Sequence, residues 1–454
     1  MKFPASPVPL LMATAALVAC GPSPAEETEP GRETGTCVEG ECLGDLVCVA
    51  DMCVDPDGAT STTGQPGEDS STGSTPTTGP DPDDTGEPQP LSSVSVLVVL
   101  DNSGSMGEEQ ASLSVSLRPL PAALDALGVD WRMGVTTTDN GNPWCQGTGP
   151  EGGNMRATSC LSRPTEFVFD GAQTIDVFDI CEVPCPPEWT DIQLEPSPIF
   201  DDPTPAPRPW IESNGGATNL PEGLFYEDAV ECLIPQGING CGFESPLESM
   251  WRAVVRAQTP GEPNYGFLPP GALLVVLLVT DEVDCSYNPD HETIFLPDGE
   301  RVFWSDPSAA APSSAVCWNA GVSCVGSECM AENYGQSGMP VAPKAAGTDA
   351  VLFPVSRYVD VLSGLDDAVV VTINGIQPNG TVVYEEGNDP DFVADFGIGP
   401  GCSTSAGQAV PPVRIREMAT AVNGGSTDEQ ISICQPSFDM ATDAIVAAVQ
   451  ARMP

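Results

Sequence analysis

The sequence contains very little histidine, lysine or aromatic side chain. His291 is the single histidine, Lys2 and Lys344 are the only lysines, and Phe, Trp and Tyr make up 6% of the residues. One histidine cannot supply the paired-histidine zinc sites of common hydrolases, and no Gly-x-Ser-x-Gly, His-Glu-x-x-His or Walker motif occurs. We therefore expect a protein that is not an enzyme. A hydrolase with an unmarked pair of carboxylates is the remaining alternative.

Basic charge is scarce throughout the 454 residues. Fifteen Lys and Arg residues against 65 Asp and Glu give a formal net charge of −50. Such a surface repels nucleic acids and anionic lipid headgroups, so we expect no nucleic-acid partner. The acidity serves either solubility or a specific cationic partner.

The chain has no Cys-x-x-Cys motif, although it contains 17 cysteines. Metal-binding clusters of cytosolic proteins usually use that short spacing, so disulfides outside the cytoplasm are the better interpretation. Residues 1–19 predict a secretory signal peptide, because their apolar core is too short to span a bilayer. The segment Leu17-Val18-Ala19-Cys20-Gly21 resembles the lipobox of bacterial lipoproteins. The resemblance implies that Cys20 is lipidated and that 20–36 form a tether. Contact with the membrane would then be through lipid alone, at the outer rather than the inner membrane; an ordinary secretory signal is the alternative.

Between the signal and the main part of the chain, two further segments are distinguishable. Residues 37–54 form a small cysteine-rich knob, which two disulfides or a zinc ion would have to hold because it has too few apolar residues for a core. Its cysteines are Cys37, Cys42, Cys48 and Cys53. Residues 55–91 consist mainly of Asp, Gly, Pro, Ser and Thr, so we expect a disordered linker.

Two continuous apolar segments in the rest of the chain each end in an aspartate. These segments are 94–100, followed by Asp101, Ser103 and Ser105, and 273–280, followed by Asp281. Such runs are typical of strands buried on both faces of a parallel sheet. Helix-like segments alternate with the strand-like ones, which predicts an α/β fold with a doubly wound, mostly parallel sheet over 92–454. In such sheets ligands bind beyond the carboxyl ends of the strands.

The Asp-x-Ser-x-Ser spacing of Asp101, Ser103 and Ser105, with the later Asp281, resembles the metal-ion-dependent adhesion site of von Willebrand factor A (VWA) domains. The resemblance implies that these four residues hold a divalent cation. Because the donors are all oxygens, Mg²⁺ is favoured, with Ca²⁺ or Mn²⁺ as alternatives. It also implies a protein or matrix partner whose carboxylate completes the ion's coordination.

The chain departs from the VWA pattern where most metal-binding members place a threonine before a helix. Glu244 or Ser245 would have to supply that oxygen. The alternative for Glu244 is that its negative charge only interacts favourably with the dipole at the N-terminus of the helix. Glu282 and Asp284, which follow Asp281, are candidates for a second ion, for a ligand rim or for solvated side chains. We therefore expect an envelope lipoprotein that binds a partner through a metal; a structural protein whose ion only stabilises loops is the alternative.

Two long stretches interrupt the α/β pattern, at about 140–240 and 286–350, and we interpret them as insertions with local disulfides. Proximity along the chain favours two pairs, Cys145 with Cys160 and Cys181 with Cys185. Cys402 with Cys434, nearer the end of the chain, is a third candidate pair.

Overall fold

The computed structural model describes residues 47–49, 52–54, 91, 93–145, 147–170, 174–385, 387–404 and 407–453. The chain divides into two units, Met1–Thr85 and Gly86–Pro454. The signal segment, the tether and the linker up to residue 90 lie outside the described residues, as do Cys20, Cys37 and Cys42. In the first unit, strands β1 (Val47–Val49) and β2 (Met52–Val54) pair antiparallel, with Cys48 opposite Cys53 in register.

The second unit contains the remaining strands and all the described helices. The strands are β3 (Ser93–Leu100), β4 (Asp130–Thr137), β5 (Val168–Asp170), β6 (Thr174–Asp176), β7 (Ile211–Asn214), β8 (Ala217–Thr218), β9 (Leu273–Val279), β10 (Val322–Val325), β11 (Glu328–Ala331), β12 (Asp367–Asn374), β13 (Cys402–Ser403), β14 (Gln408–Ala409) and β15 (Gln430–Ser432). The α-helices are α1 (Gly107–Leu117), α2 (Leu120–Leu127), α3 (Asp179–Glu182), α4 (Tyr226–Leu233), α5 (Pro246–Gln258), α6 (Ala315–Gly321), α7 (Ala346–Asp349), α8 (Val355–Ser363), α9 (Pro390–Phe396), α10 (Val413–Val422) and α11 (Asp439–Gln450). Short 3-10 helices cover Cys160–Ser162, Pro164–Phe167, Pro187–Trp189, Pro289–Phe295 and Pro343–Ala345.

A seven-stranded, mostly parallel sheet forms the centre of the second unit, with the order β15-β12-β9-β3-β4-β7-β8. The five strands from β15 to β4 run parallel, whereas β7 and β8 are antiparallel additions at one edge. The predicted mixed α/β class is therefore confirmed. Strand β15 forms the opposite edge.

Helices cover both faces of this sheet, which explains why the central strands are continuously apolar. Along β3, Val96 and Val98 pack with helices α1, α2, α4 and α11. The alternate residues, Leu97 and Val99, pack with α5, α8 and α10. All of these side chains are fully buried. They divide between the two faces because successive side chains of a strand point to opposite sides of the sheet.

The segment after β3 is split into α1 and α2, and two prolines lie at the break. Pro119 precedes α2 and Pro121 lies in its first turn, where the missing N–H costs nothing. Helix α2 ends at Gly128, whose φ of 72° is left-handed and favours glycine. The chain then returns along β4, parallel to β3.

Two of the three predicted disulfide pairs are wrong. Cys145 bonds to Cys241, and Cys160 bonds to Cys181. Cys185 bonds to Cys232 instead of to Cys181, whereas the pair Cys402–Cys434 is confirmed. Two further bonds are Cys285–Cys317 and Cys324–Cys329. Proximity along the chain gave wrong pairs because the first insertion folds back. Cys145 therefore lies next to Cys241, 96 residues later in the sequence.

The first insertion also contributes to the core. Strand β7 extends the main sheet beside β4, and Ala229 and Val230 of α4 are buried against one face. Residues of the second insertion, including Phe295, Trp304 and Trp318, form a separate buried cluster with Val283. In the described part of the chain, no helix is both long and apolar enough to cross a membrane.

Candidate metal centre

Three neighbouring parallel strands end at the same edge of the sheet, and each is followed by polar residues. Strand β3 lies between β4 and β9, with Leu100 opposite Thr137 on one side and Val279 on the other. Asp101, Thr138 and Thr280 therefore emerge side by side. Backbone hydrogen bonds continue past the strand ends, because Asp101 N–H donates to the Val279 carbonyl (2.9 Å) and Thr138 N–H to that of Leu100 (3.1 Å).

Asp101 is fully buried at the base of this group. Its Oδ1 accepts the backbone N–H of Ser103 (2.8 Å), and its Oδ2 accepts the hydroxyl of Thr280 (2.6 Å). Burial raises the pKa of Asp101, and these hydrogen bonds offset part of that rise.

Of the other predicted ligands, Ser103 is buried, Asp281 is partly buried and Ser105 is exposed. The Ser103 and Ser105 hydroxyls are 3.2 Å apart, and Ser105 hydrogen-bonds the Asp281 carboxyl. Burial and then the charge of Asp101 raise the pKa of Asp281 well above its usual value. Its Oδ1 is shielded from water yet has no hydrogen-bond partner. The four predicted ligands thus come together.

Glu244 approaches the same group from the loop before α5. Its side chain is fully buried, and its Oε2 accepts the hydroxyl of Thr138. Burial, followed by the charges of Asp101 and Glu282, raises its pKa well above the usual value. Its Oε1 is buried without a partner. A side chain in this state has one carboxylate oxygen free for a cation.

The other three candidate residues divide between this group and elsewhere. Glu282 belongs to it: burial and the charges of Asp281 and Asp101 raise its pKa well above the usual value, and Ser314 donates to its Oε2 (3.0 Å). Ser245 donates its hydroxyl to the Cys285 carbonyl (2.8 Å). Asp284 is not solvated. It is buried and forms an ion pair with Arg414 (2.8 Å).

Three residues of the group were not predicted from the sequence. Thr138 and Thr280 hold the carboxyls of Glu244 and Asp101, and the buried side chain of Gln110 donates to the Asp101 carbonyl (2.9 Å). Thr280 directly follows the apolar strand β9, so the rule that found Asp101 also applies to it, whereas Thr138 follows β4, which is not a continuous apolar run. No comparable signal marks Gln110, which lies on a helix of ordinary composition.

The arrangement consists of oxygen donors with a concentrated negative charge, which suits hard cations. In the described part of the chain, no three side chains of His, Cys, Asp or Glu form a group that could hold a metal ion as they stand. The predicted set itself contains two carboxylates, Asp101 and Asp281, together with two serine hydroxyls. A cation would satisfy the unpaired oxygens of Asp281 and Glu244 and would relieve the repulsion between the buried carboxylates.

Comparison with known proteins gives little further information. No protein-family model matches the sequence, and no curated protein matches it. Among solved structures, the chain is similar to the pilus adhesin SpaC of Lactobacillus rhamnosus GG in its open conformation, with a TM-score of 0.32 and 10% identity. That match covers 80% of this chain and 30% of the adhesin chain, and a second crystal form of SpaC gives the same values. Similarity at this level carries no argument about function.

Proposed function

We propose that residues 92–454 form a doubly wound domain of VWA type that binds a protein or matrix ligand through a divalent cation. The observation that supports this most is the convergence of Asp101, Ser103, Ser105 and Asp281 at adjoining strand ends, although 180 residues separate the two aspartates along the chain. A buried carboxylate oxygen without a partner is costly, and an ion is the simplest group that removes the cost. Mg²⁺ is the proposed ion, with Ca²⁺ and Mn²⁺ as alternatives.

In this proposal Asp101, Ser103, Ser105 and Asp281 hold the ion. Glu244 is a better candidate than Ser245 for the oxygen that most VWA domains take from threonine, because its Oε1 is free and the Ser245 hydroxyl already has a partner. When bound, the ion would supply an electrophilic centre that bridges the domain to its partner. The resemblance implies a partner carboxylate, which the charge of the neighbouring side chains opposes.

The cellular location belongs to the same proposal. Lipidation at Cys20 would anchor the chain in the cell envelope, at the outer membrane, and the linker 55–91 would hold the domain away from the bilayer. The many disulfides of the second unit are consistent with an oxidising compartment outside the cytoplasm.

Titration calorimetry of the full chain with Mg²⁺, Ca²⁺ and Mn²⁺ tests the metal site. We expect saturable binding of an ion to the wild type and none to Asp101→Ala. Asp202→Ala, which removes an exposed carboxylate elsewhere, is the matched control and should bind the ion normally. Equal binding by the wild type and Asp101→Ala would contradict the proposal.

A pull-down from envelope and culture fluid, with and without the ion, separates adhesion from the alternative structural role. A component retained only with the ion supports adhesion. If the ion stabilises the fold and nothing is retained, the structural role is supported, to which the complete burial of Asp101 already lends some weight. Hydrolysis that survives Asp101→Ala would indicate a separate active site and would contradict the expectation that the protein is not an enzyme.

A further inference from the structure

One of the seven tryptophans lies at the surface, whereas the other six are in the core. Trp144 is 40% exposed, and each of the others is at most 7% exposed. It belongs to a tight turn over 142–145, in which the Cys145 N–H donates to the Asn142 carbonyl (2.9 Å). Tryptophan is usually largely buried, so an indole that the fold leaves in water is a candidate contact surface.

Two constraints hold this indole in place. Its N–H donates to the Phe295 carbonyl, and the next residue, Cys145, is bonded to Cys241. Phe295 is itself fully buried and meets the rings of Phe243 and Tyr287 edge-on, with 5.1 Å between ring centroids in each pair. Because the indole N–H is already bonded, the surface that the side chain presents to water is apolar and held in one position.

Two amide side chains of the same loop each contain one atom without a hydrogen-bond partner. Asn142 Oδ1 accepts the backbone N–H of Trp144 (3.0 Å), which leaves its Nδ2 as an unpaired donor. Asn140 Nδ2 donates to the Ser249 hydroxyl (2.5 Å), which leaves its Oδ1 as an unpaired acceptor. Both unpaired atoms are shielded from water, which is costly. A ligand that supplies both an acceptor and a donor would remove this cost.

Hydroxyl groups fit this combination better than charged or apolar groups do. A hydroxyl both donates and accepts, whereas an ammonium or guanidinium group cannot accept from Asn142 and a carboxylate cannot donate to Asn140. Anionic ligands are also repelled by the formal charge of −50. An apolar side chain of a partner protein would cover the indole but leave both amides unpaired. The class of ligand that remains is neutral, with an apolar face and several hydroxyls.

We propose that Trp144 and the loop around it form a binding site for a neutral carbohydrate, separate from the metal site proposed above. The C–H groups of a pyranose ring lie against the indole, and its hydroxyls pair with Asn142 Nδ2 and Asn140 Oδ1. Stacking on the exposed indole requires no rearrangement and makes the first contact. The two amide atoms are shielded in the free protein, so the turn over 142–145 shifts when their bonds to the sugar form.

Acrylamide quenching of tryptophan fluorescence tests the site, because acrylamide is uncharged and Trp144 is the exposed fluorophore. The probes are three neutral oligosaccharides, cellohexaose, maltohexaose and N-acetylchitohexaose, titrated into the full chain with Mg²⁺ and with a chelator. We expect at least one of them to reduce the quenching saturably and to the same extent in both conditions.

Calorimetry with the oligosaccharide that binds then compares variants. Trp144→Ala should weaken binding on the order of tenfold, whereas Trp144→Phe, which keeps an aromatic face, should retain most of it. Both variants lose the N–H bond to Phe295, so this pair separates stacking from that bond. Phe225→Ala is the matched control. It removes an aromatic ring that is 65% exposed, just before α4, and should leave binding unchanged.

The inference would be overturned if none of the three oligosaccharides protected Trp144, or if Trp144→Ala and Phe225→Ala weakened binding equally. Protection by a peptide with a central Leu, Lys or Asp but by no sugar would also overturn it, because the indole would then bind a protein side chain. Protection that required Mg²⁺ would place the sugar at the ion and contradict a separate site. The quenching measurement uses the wild type, so it stays decisive if Trp144→Ala does not fold.

Discussion

Two glycines flank Cys241 in the loop that carries Glu244, and only one has room for a side chain. A Cβ on Gly240 would lie 2.3 Å from Asn102 Oδ1, whereas a Cβ on Gly242 would meet nothing within 4 Å. Gly240 also donates its N–H to the Asn102 carbonyl (2.8 Å), so it fixes the residue between Asp101 and Ser103. The close approach at Gly240 thus joins the two halves of the candidate site.

We expect Gly240→Ala to lower the free energy of unfolding by about 1–3 kcal/mol, the usual cost of overpacking, and to weaken Mg²⁺ binding by displacing Asn102. Urea unfolding and calorimetry measure the two effects. Gly242→Ala is the control in the same loop and should change neither. Equal behaviour of the two variants would show that the Asn102 contact is not required.

Asp284 differs from the site carboxylates in having partners for its oxygens. It pairs with Arg414, and its Oδ1 accepts the Ser286 hydroxyl (2.6 Å). We expect Asp284→Asn to destabilise the protein by about 3–5 kcal/mol, because it leaves the Arg414 charge buried and unpaired. Urea unfolding measures this, and the number of ions bound should not change.

Asp281→Asn provides the contrast. It removes a charge that repels Asp101, so the metal-free protein should not lose stability, yet ion binding should be lost. If Asp284→Asn abolished ion binding while Asp281→Asn did not, the assignment of ligands would be wrong.

At the scale of single residues, the sequence predicted the aspartates and serines of the group. It did not predict Thr280 and Thr138, whose hydroxyls donate to Asp101 and Glu244. Asp101 and Asp281 were recognisable because an ionisable side chain directly after an apolar strand is unusual. Thr138 follows β4, but a threonine there is also an ordinary strand residue. The choice between Glu244 and Ser245 depends on which oxygen already has a partner, and only coordinates contain that information.

At the scale of elements, helix α1 is connected to the site through one buried amide. The Gln110 side chain donates to the carbonyls of Asp101 (2.9 Å) and Gly237 (2.7 Å) and accepts the N–H groups of Gln236 (2.9 Å) and Gly237 (3.2 Å). It therefore joins the loop after β3 to the loop after α4.

We expect Gln110→Leu to lower the free energy of unfolding by at least about 3 kcal/mol, because it leaves several buried backbone groups unpaired at about 1–3 kcal/mol each. Urea unfolding measures this change. Gln258→Leu, at an exposed position of α5, should stay within about 0.5 kcal/mol of the wild type. A similarly small effect of Gln110→Leu would contradict the role of the amide.

The predictability of the elements follows from their length and burial. Strands β3 and β9 were predictable because long apolar runs have few other structures available. Strand β7 has four residues and joins the sheet antiparallel through contacts distant in sequence, so no local pattern marks it. The disulfide pairs were mispredicted for the same reason, since Cys145 and Cys241 are brought together only once the insertion has folded.

At the scale of the whole molecule, the formal charge of −50 and the carboxylates of the site both lower the stability of the metal-free protein as the pH rises. Burial raises the pKa values of Asp101, Glu244, Asp281 and Glu282 in the folded protein, and the charge of neighbouring carboxylates raises those of Glu244, Asp281 and Glu282 further. The metal-free folded state therefore binds more protons than the unfolded chain, and its stability falls with increasing pH.

We expect this loss to begin at about pH 4, near the ordinary pKa values of Asp and Glu, and to continue as the pH rises through the raised values. With saturating Mg²⁺ the trend should reverse at the site, because protons compete less with the ion as the pH rises and the bound ion stabilises only the folded state. Urea midpoints with Mg²⁺ and with a chelator should thus separate increasingly between about pH 4 and pH 8.

The general charge of the surface also destabilises the protein at high pH, so Glu282→Gln is the necessary comparison: its metal-free midpoint should fall less steeply than that of the wild type. Parallel curves for the wild type and Glu282→Gln, or a constant separation with and without Mg²⁺, would mean that these carboxylates do not interact in the folded protein.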